Sequence, residues 1–125
     1  MIEIKTSPIS DGEFKRGVFA TCNIAKGELI HEAPVVPYPN VEHQLIEHTV
    51  LADYVYEYGK NHGAIVLGYG MLFNHSYEPN ATYDINFDKH TFDYYAYTDI
   101  KAGDEIFINY NGDVDDKEPL WFHKK

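Results

Sequence analysis

The chain has 125 residues, 44% of them hydrophobic, and its 20 acidic and 10 basic side chains give a formal net charge of −10. This length bounds the protein to one domain over 1–125 with a single core, and the composition excludes a disordered or fibrous chain. The acidity argues against direct contact with a nucleic-acid backbone, which needs cations to displace its counterions. A basic protein partner would be drawn in by the same field, although acidity also serves plain solubility.

No apolar run approaches the roughly 20 residues that span a bilayer. The start, Met1-Ile2-Glu3-Ile4-Lys5, lacks the layout of a signal peptide. A single cysteine, Cys22, leaves no internal disulfide and no multi-thiolate zinc site. The expectation is an intracellular protein without membrane contact, working in the cytoplasm or in the nucleus of a eukaryotic cell.

Along the chain, Glu3-Ile4-Lys5 reads as a strand, Ser7-Pro8 and Asp11-Gly12 as turns, and Gly17 to Thr21 as a second strand. Ala25-Lys26-Gly27-Glu28 is a tight turn into the strand Leu29 to Glu32. Pro34, Pro37 and Pro39 then forbid regular pairing until about Val41. Val41 to Thr49 predicts a short helix, with Asn40 as its cap and Leu45 and Ile46 on its inner face. Val50 to Tyr58 alternates in the strand manner, with Tyr54, Tyr56 and Tyr58 on one face. Ala64 to Leu67 is an apolar strand running into the bend Gly68-Tyr69-Gly70. Thr82 to Phe87 and Thr91 to Tyr97 form a hairpin across Asp88-Lys89-His90. Ile100 to Asp104 turns into a final strand, Glu105 to Tyr110. Many short strands with one short helix predict a mainly β domain.

The seven histidines raise the question of a metal. His43 and His48 miss the i,i+4 spacing of two ligands on one helical face, no other pair has ligand spacing, and no metal is expected. Gly68-Tyr69-Gly70 lacks the third glycine and following helix of a dinucleotide loop. Cys22 has no motif around it, and Ser76 beside His75 is no triad, because chain adjacency does not set a hydrogen-bonded geometry. Asn74-His75-Ser76 is different. It is a polar cluster directly behind the apolar run Met71-Leu72-Phe73, where Asn and His are poor residues unless their hydrogen bonds are met. Singly, Asn74 and His75 read as a capped turn and Tyr110 as a half-buried strand end.

Taken in order, four segments resemble the signature of SET-domain protein lysine methyltransferases. Lys15-Arg16-Gly17-Val18-Phe19-Ala20 is similar to the family's glycine-rich N-terminal motif, and Ile24 to Ile30 to the turn and strand after it. Leu72-Phe73-Asn74-His75-Ser76 with Pro79-Asn80 matches the central motif. Ile100 to Ile106 followed by Tyr110 matches the terminal one. The resemblance covers about residues 4–110. It implies a β-fold of several small sheets with a C-terminal pseudoknot that brings Asn74, His75 and Tyr110 together.

The resemblance also implies S-adenosylmethionine as methyl donor, bound by Lys15, Arg16, Gly17, Asn74 and His75. It makes Tyr110 the catalytic tyrosine, and Tyr54, Tyr69, Tyr83 and Ile108 the lining of a substrate-lysine channel. The implied substrate is a lysine in a basic protein tail, such as a histone tail. Ile108, where many relatives carry Phe or Tyr, implies room for di- or trimethylation, whereas a Tyr83 hydroxyl in the channel implies less. Two departures stand out. Lys15 occupies a position where the family usually has glycine, and no cysteine cluster follows the domain. The tail from Asp113 to Lys125 would then close the site, with Trp121 over the donor or the substrate entrance. The alternative reading is a non-catalytic peptide-binding module on the same fold. So small a domain is also a candidate homodimer.

Overall fold

The computed structural model describes residues 1–10 and 14–119. Most of the ordered backbone is strand, arranged in three small sheets with one short α-helix. The expected turn at Asp11-Gly12 falls outside the described residues.

The first sheet pairs β1 (Ile2–Thr6) antiparallel with β2 (Arg16–Ala20). Val18 and Ala20 alternate inward from β2 and are buried. The central sheet has five strands. Its middle strand is β3 (Leu29–Pro39), flanked by β8 (Thr91–Ala96) and then β7 (Ala81–Asn86) on one side. On the other side lie β5 (His62–Val66) and the two-residue β4 (Tyr56–Glu57). From β8, Phe92, Tyr94 and Ala96 point into the core beside Val66, Phe73, Ile100 and Ile106. Burying each large apolar side chain of this kind contributes about 1.5–3 kcal/mol.

The three prolines do not interrupt pairing: β3 runs through them to Pro39. The strand changes partner midway, pairing with β8 over Leu29 to Pro34 and with β5 over Val35 to Pro39. Pro34 O accepts from Leu67 N on the β5 side, whereas Val35 N donates to His90 O on the β8 side. Residues alternate sides along a strand, so the nitrogens of Pro37 and Pro39 face the edge where β8 has already ended. No ladder hydrogen bond is lost there.

The expected helix over Val41 to Thr49 is a 3-10 turn, Asn40–Glu42, followed by α1 (His43–Ile46). Asn40 lies inside that turn and caps nothing; its N–H donates to Asn61 O. Leu45 is exposed rather than turned inward. The expected strand over Val50 to Tyr58 is also corrected. Thr49 Oγ1 accepts from Leu51 N and starts a 3-10 turn over Val50–Asp53, leaving only Tyr56–Glu57 to pair with β5.

The last sheet is a parallel pair, β6 (Asn74–His75) with β9 (Phe107–Ile108). The final strand is thus shorter than Glu105 to Tyr110, with Glu105 held instead in a bridge to Phe19. Asn80 clamps the approach to β9: its Nδ2 donates to Glu105 O and its Oδ1 accepts from Phe107 N. Beyond β9, Asn111 Nδ2 and the Tyr77 hydroxyl both donate to Glu118 O, so the terminal segment lies along the loop that follows His75. This crossing corresponds to the expected pseudoknot.

Candidate active site

Asn74 and His75 are fully buried at the parallel pair. Asn74 Nδ2 donates to Arg16 O at 2.9 Å and to Glu105 Oε2 at 2.8 Å. Both partners are acceptors, so the amide group's orientation is fixed by its bonds. Its Oδ1 is buried and has no hydrogen-bond partner among the described residues. His75 Nδ1 accepts from Tyr110 N at 3.0 Å, which puts the ring proton of the neutral imidazole on Nε2. Gly17 is required here, because a Cβ would sit 2.2 Å from Glu105 Oε2 and 2.8 Å from Asn74 Nδ2. Just before it, Lys15 adopts φ 49, the left-handed backbone that glycine holds most easily. The departure at Lys15 therefore keeps a glycine-like turn with a side chain added.

A cavity of about 940 Å³ opens beside this cluster. Tyr54, Tyr56, Tyr83 and Tyr110 line it, with Tyr38 and His43 farther along and the carboxylates Glu47, Asp53 and Glu57 among its walls. The Tyr110 hydroxyl donates to Phe73 O at 2.7 Å. The Tyr56 hydroxyl donates to Gly70 O at 2.7 Å, and Tyr94 supports that pair from 3.1 Å and 3.2 Å. Tyr83 stacks on Phe92 and meets Tyr56 edge-on. Burial, reinforced by neighbouring Tyr56 and Tyr54 and by Glu105, pushes the Tyr110 hydroxyl well above the ordinary tyrosine value. Burial and Glu57 push Tyr83 up to about 12. These hydroxyls therefore stay protonated at neutral pH and act as oriented dipoles rather than as phenolate bases.

Of the residues expected at the site, Tyr54, Tyr83 and Tyr110 share one cavity, with Gly17, Asn74 and His75 in the adjoining cluster. Arg16 contributes its carbonyl, while its guanidinium lies over the Phe14 ring at 5.3 Å. Tyr69 is not on the cavity wall; it packs edge-on against His31. Ile108 is fully buried in the ladder opposite His75 and is likewise absent from that wall. Trp121 lies outside the described residues. Sequence reasoning missed the roles of Tyr56, Tyr94 and Glu105. The alternation of Tyr54, Tyr56 and Tyr58 was a usable signal for the first, whereas nothing local marks Tyr94.

The SET-domain family profile matches residues 15–111, spanning both the Asn74-His75 cluster and Tyr110. This chain belongs to the SET-domain family. The chain is 33% identical over 116 residues to the histone-lysine N-methyltransferase, H3 lysine-37 specific, of Schizosaccharomyces pombe, covering 91% of this chain and 75% of that protein. A crystal structure of a candidate histone methyltransferase from Plasmodium falciparum superposes with a TM-score of 0.71 at 37% identity, over 87% of this chain and 91% of that one. The Polycomb Repressive Complex 2 of Chaetomium thermophilum, in a form bound to S-adenosylmethionine, shares the fold at a TM-score of 0.72 and 21% identity. There the overlap is 87% of this chain and 15% of the larger chain. The chemistry of this SET domain is protein-lysine N-methyl transfer.

Proposed function

We propose that the protein transfers a methyl group from S-adenosylmethionine to the side-chain amine of a lysine in a basic protein tail, with a histone tail the first substrate to test. The observation that carries this reading is a buried amide acceptor, Asn74 Oδ1, beside His75, whose Nδ1 accepts from the N–H of Tyr110 on the wall of a tyrosine-lined cavity.

The buried residues fit the donor. Asn74 Oδ1 is an acceptor awaiting a donor group, which the ammonium of the methionine part would supply, and the Lys15-Arg16-Gly17 turn lies against the same amide. When bound, the donor supplies an electrophilic methyl on a sulfonium. The protein's own residues handle the amine. A lysine has a pKa of about 10.4, so its nucleophilic neutral form is scarce at neutral pH. Burial among Tyr54, Tyr56, Tyr83 and Tyr110 disfavours the ammonium. Tyr110, neutral at physiological pH and made a still weaker acid by burial, can orient the amine through its hydroxyl. Holding the reacting atoms in line can account for a large part of the barrier reduction. Glu47, Asp53 and Glu57 outnumber Lys60 on the cavity wall, a sign that favours approach of a cationic side chain.

Tyr110→Phe checks the assignment of the catalytic residue. Donor affinity by calorimetry is expected to be unchanged, while turnover falls about a hundredfold or more, the usual scale for losing one positioned polar group at a reacting centre. Undiminished turnover would remove Tyr110 from that role.

A further inference from the structure

Asn74 owes its orientation to a buried chain of polar contacts that begins in the N-terminal segment. Ser7, 1% exposed, follows β1, and its N–H donates to Lys15 O at 2.7 Å. Its hydroxyl donates to Glu105 Oε1 at 2.7 Å. The other carboxylate oxygen, Oε2, accepts from Asn74 Nδ2 at 2.8 Å. Glu105 is itself only 9% exposed, and the carboxylate fills the space a side chain at Gly17 would need. Residues from three distant parts of the chain therefore meet at one carboxylate.

We propose that Ser7 and Glu105 are positioning residues for the methyl donor: they fix the Asn74 amide so that its Oδ1 faces the donor's ammonium. The inference rests on the donor reading above. An asparagine amide presents oxygen or nitrogen after a half-turn, and only a committed acceptor on the nitrogen side forbids that turn. Arg16 O supplies one such acceptor and Glu105 Oε2 the second. Charge-assisted hydrogen bonds are the stronger kind, so the carboxylate is the dominant constraint. Ser7 holds the carboxylate in turn, which couples the N-terminal strand to donor affinity although Ser7 lines no part of the cavity.

The test measures S-adenosylmethionine binding by calorimetry, with melting temperature and KM for donor and for peptide, in wild type, Ser7→Ala, Glu105→Ala and Glu105→Gln. Glu105→Ala is expected to weaken donor binding by about tenfold, the scale of one lost hydrogen bond to a charged group. Ser7→Ala should weaken it by a smaller factor. Glu105→Gln should recover most of the affinity, because its amide oxygen can still accept from Asn74. Peptide KM measured at saturating donor should stay close to wild type in Ser7→Ala. In an Asn74→Ala background, Ser7→Ala should no longer change donor affinity. Should Glu105→Ala not fold, Ser7→Ala and the Asn74 background carry the comparison alone. Donor affinity unchanged in folded Ser7→Ala and Glu105→Ala, or peptide and donor KM rising together with the loss of melting temperature, would overturn the proposal. A wild type that binds no donor would instead overturn the underlying reading.

Discussion

His31 illustrates how a single side chain can tie stability to the site. Its Nε2 accepts from Tyr69 N at 3.2 Å, and its ring stacks on Tyr94, which in turn supports the Tyr56–Gly70 contact. Burial lowers its pKa from the usual 6.5, and the backbone at Leu67 opposes this only in part. Below 6.5 the unfolded chain takes up a proton at this position that the folded chain resists. The contribution of His31 is therefore fully present above 6.5 and is lost as pH falls from there through the lowered folded value. Denaturation midpoints measured across that window should fall less in His31→Gln, whose amide oxygen can still accept from Tyr69 N, than in wild type. An equal slope would remove His31 from that role. At this scale the sequence was informative where chemistry is local. The Asn74-His75 pair stood out because polar side chains behind an apolar run must find partners: Asn74 Nδ2 and His75 Nδ1 have them, whereas Asn74 Oδ1 has none among the described residues. Tyr69 and Ile108 read equally well as channel residues, but side-chain direction at a bend and depth within a ladder depend on packing that no spacing reveals.

Elements were legible to the extent that their pairing was regular. The β7–β8 hairpin follows from two alternating runs around a polar turn, and its strands lie at Ala81–Asn86 and Thr91–Ala96. Prolines misled in β3, since their cost depends on which edge each nitrogen faces, and that is settled by partners far along the chain. The segment Val50 to Tyr58 alternates as a strand does, yet a threonine cap diverts its first half into a 3-10 turn. The parallel pair β6–β9 is too short to hold by ladder bonds alone, and Asn80 supplies the missing grip. Asn80→Ala would leave Glu105 O and Phe107 N without these partners. A loss of about 2–3 kcal/mol is expected by chemical denaturation, from two backbone groups stripped of their bonds. A loss under about 0.5 kcal/mol would mean that the crossing is held elsewhere.

For the whole molecule, net charge and size make separate statements. A charge of −10 should speed encounter with a basic peptide and lose that advantage as salt screens it. KM for such a peptide should rise steadily with ionic strength while the donor's affinity moves little; a flat KM would assign the acidity to solubility alone. A domain of this size is a candidate homodimer, and sedimentation that finds only monomer at assay concentrations would count against this. The crossing of the terminal segment was legible only through family resemblance. No local pattern requires β9 to lie parallel to β6, and general topology argues against such crossings.

The central claim is methyl transfer to lysine at the Tyr110 cavity. Mass spectrometry of a histone mixture incubated with S-adenosylmethionine and either wild type or Tyr110→Phe tests it most directly. Lysine-specific mass gains in steps of one methyl, present with wild type and nearly absent with the variant, are the predicted result. No gain with donor-bound wild type on histones or on a whole-cell protein lysate, or equal gains with both proteins, would contradict it.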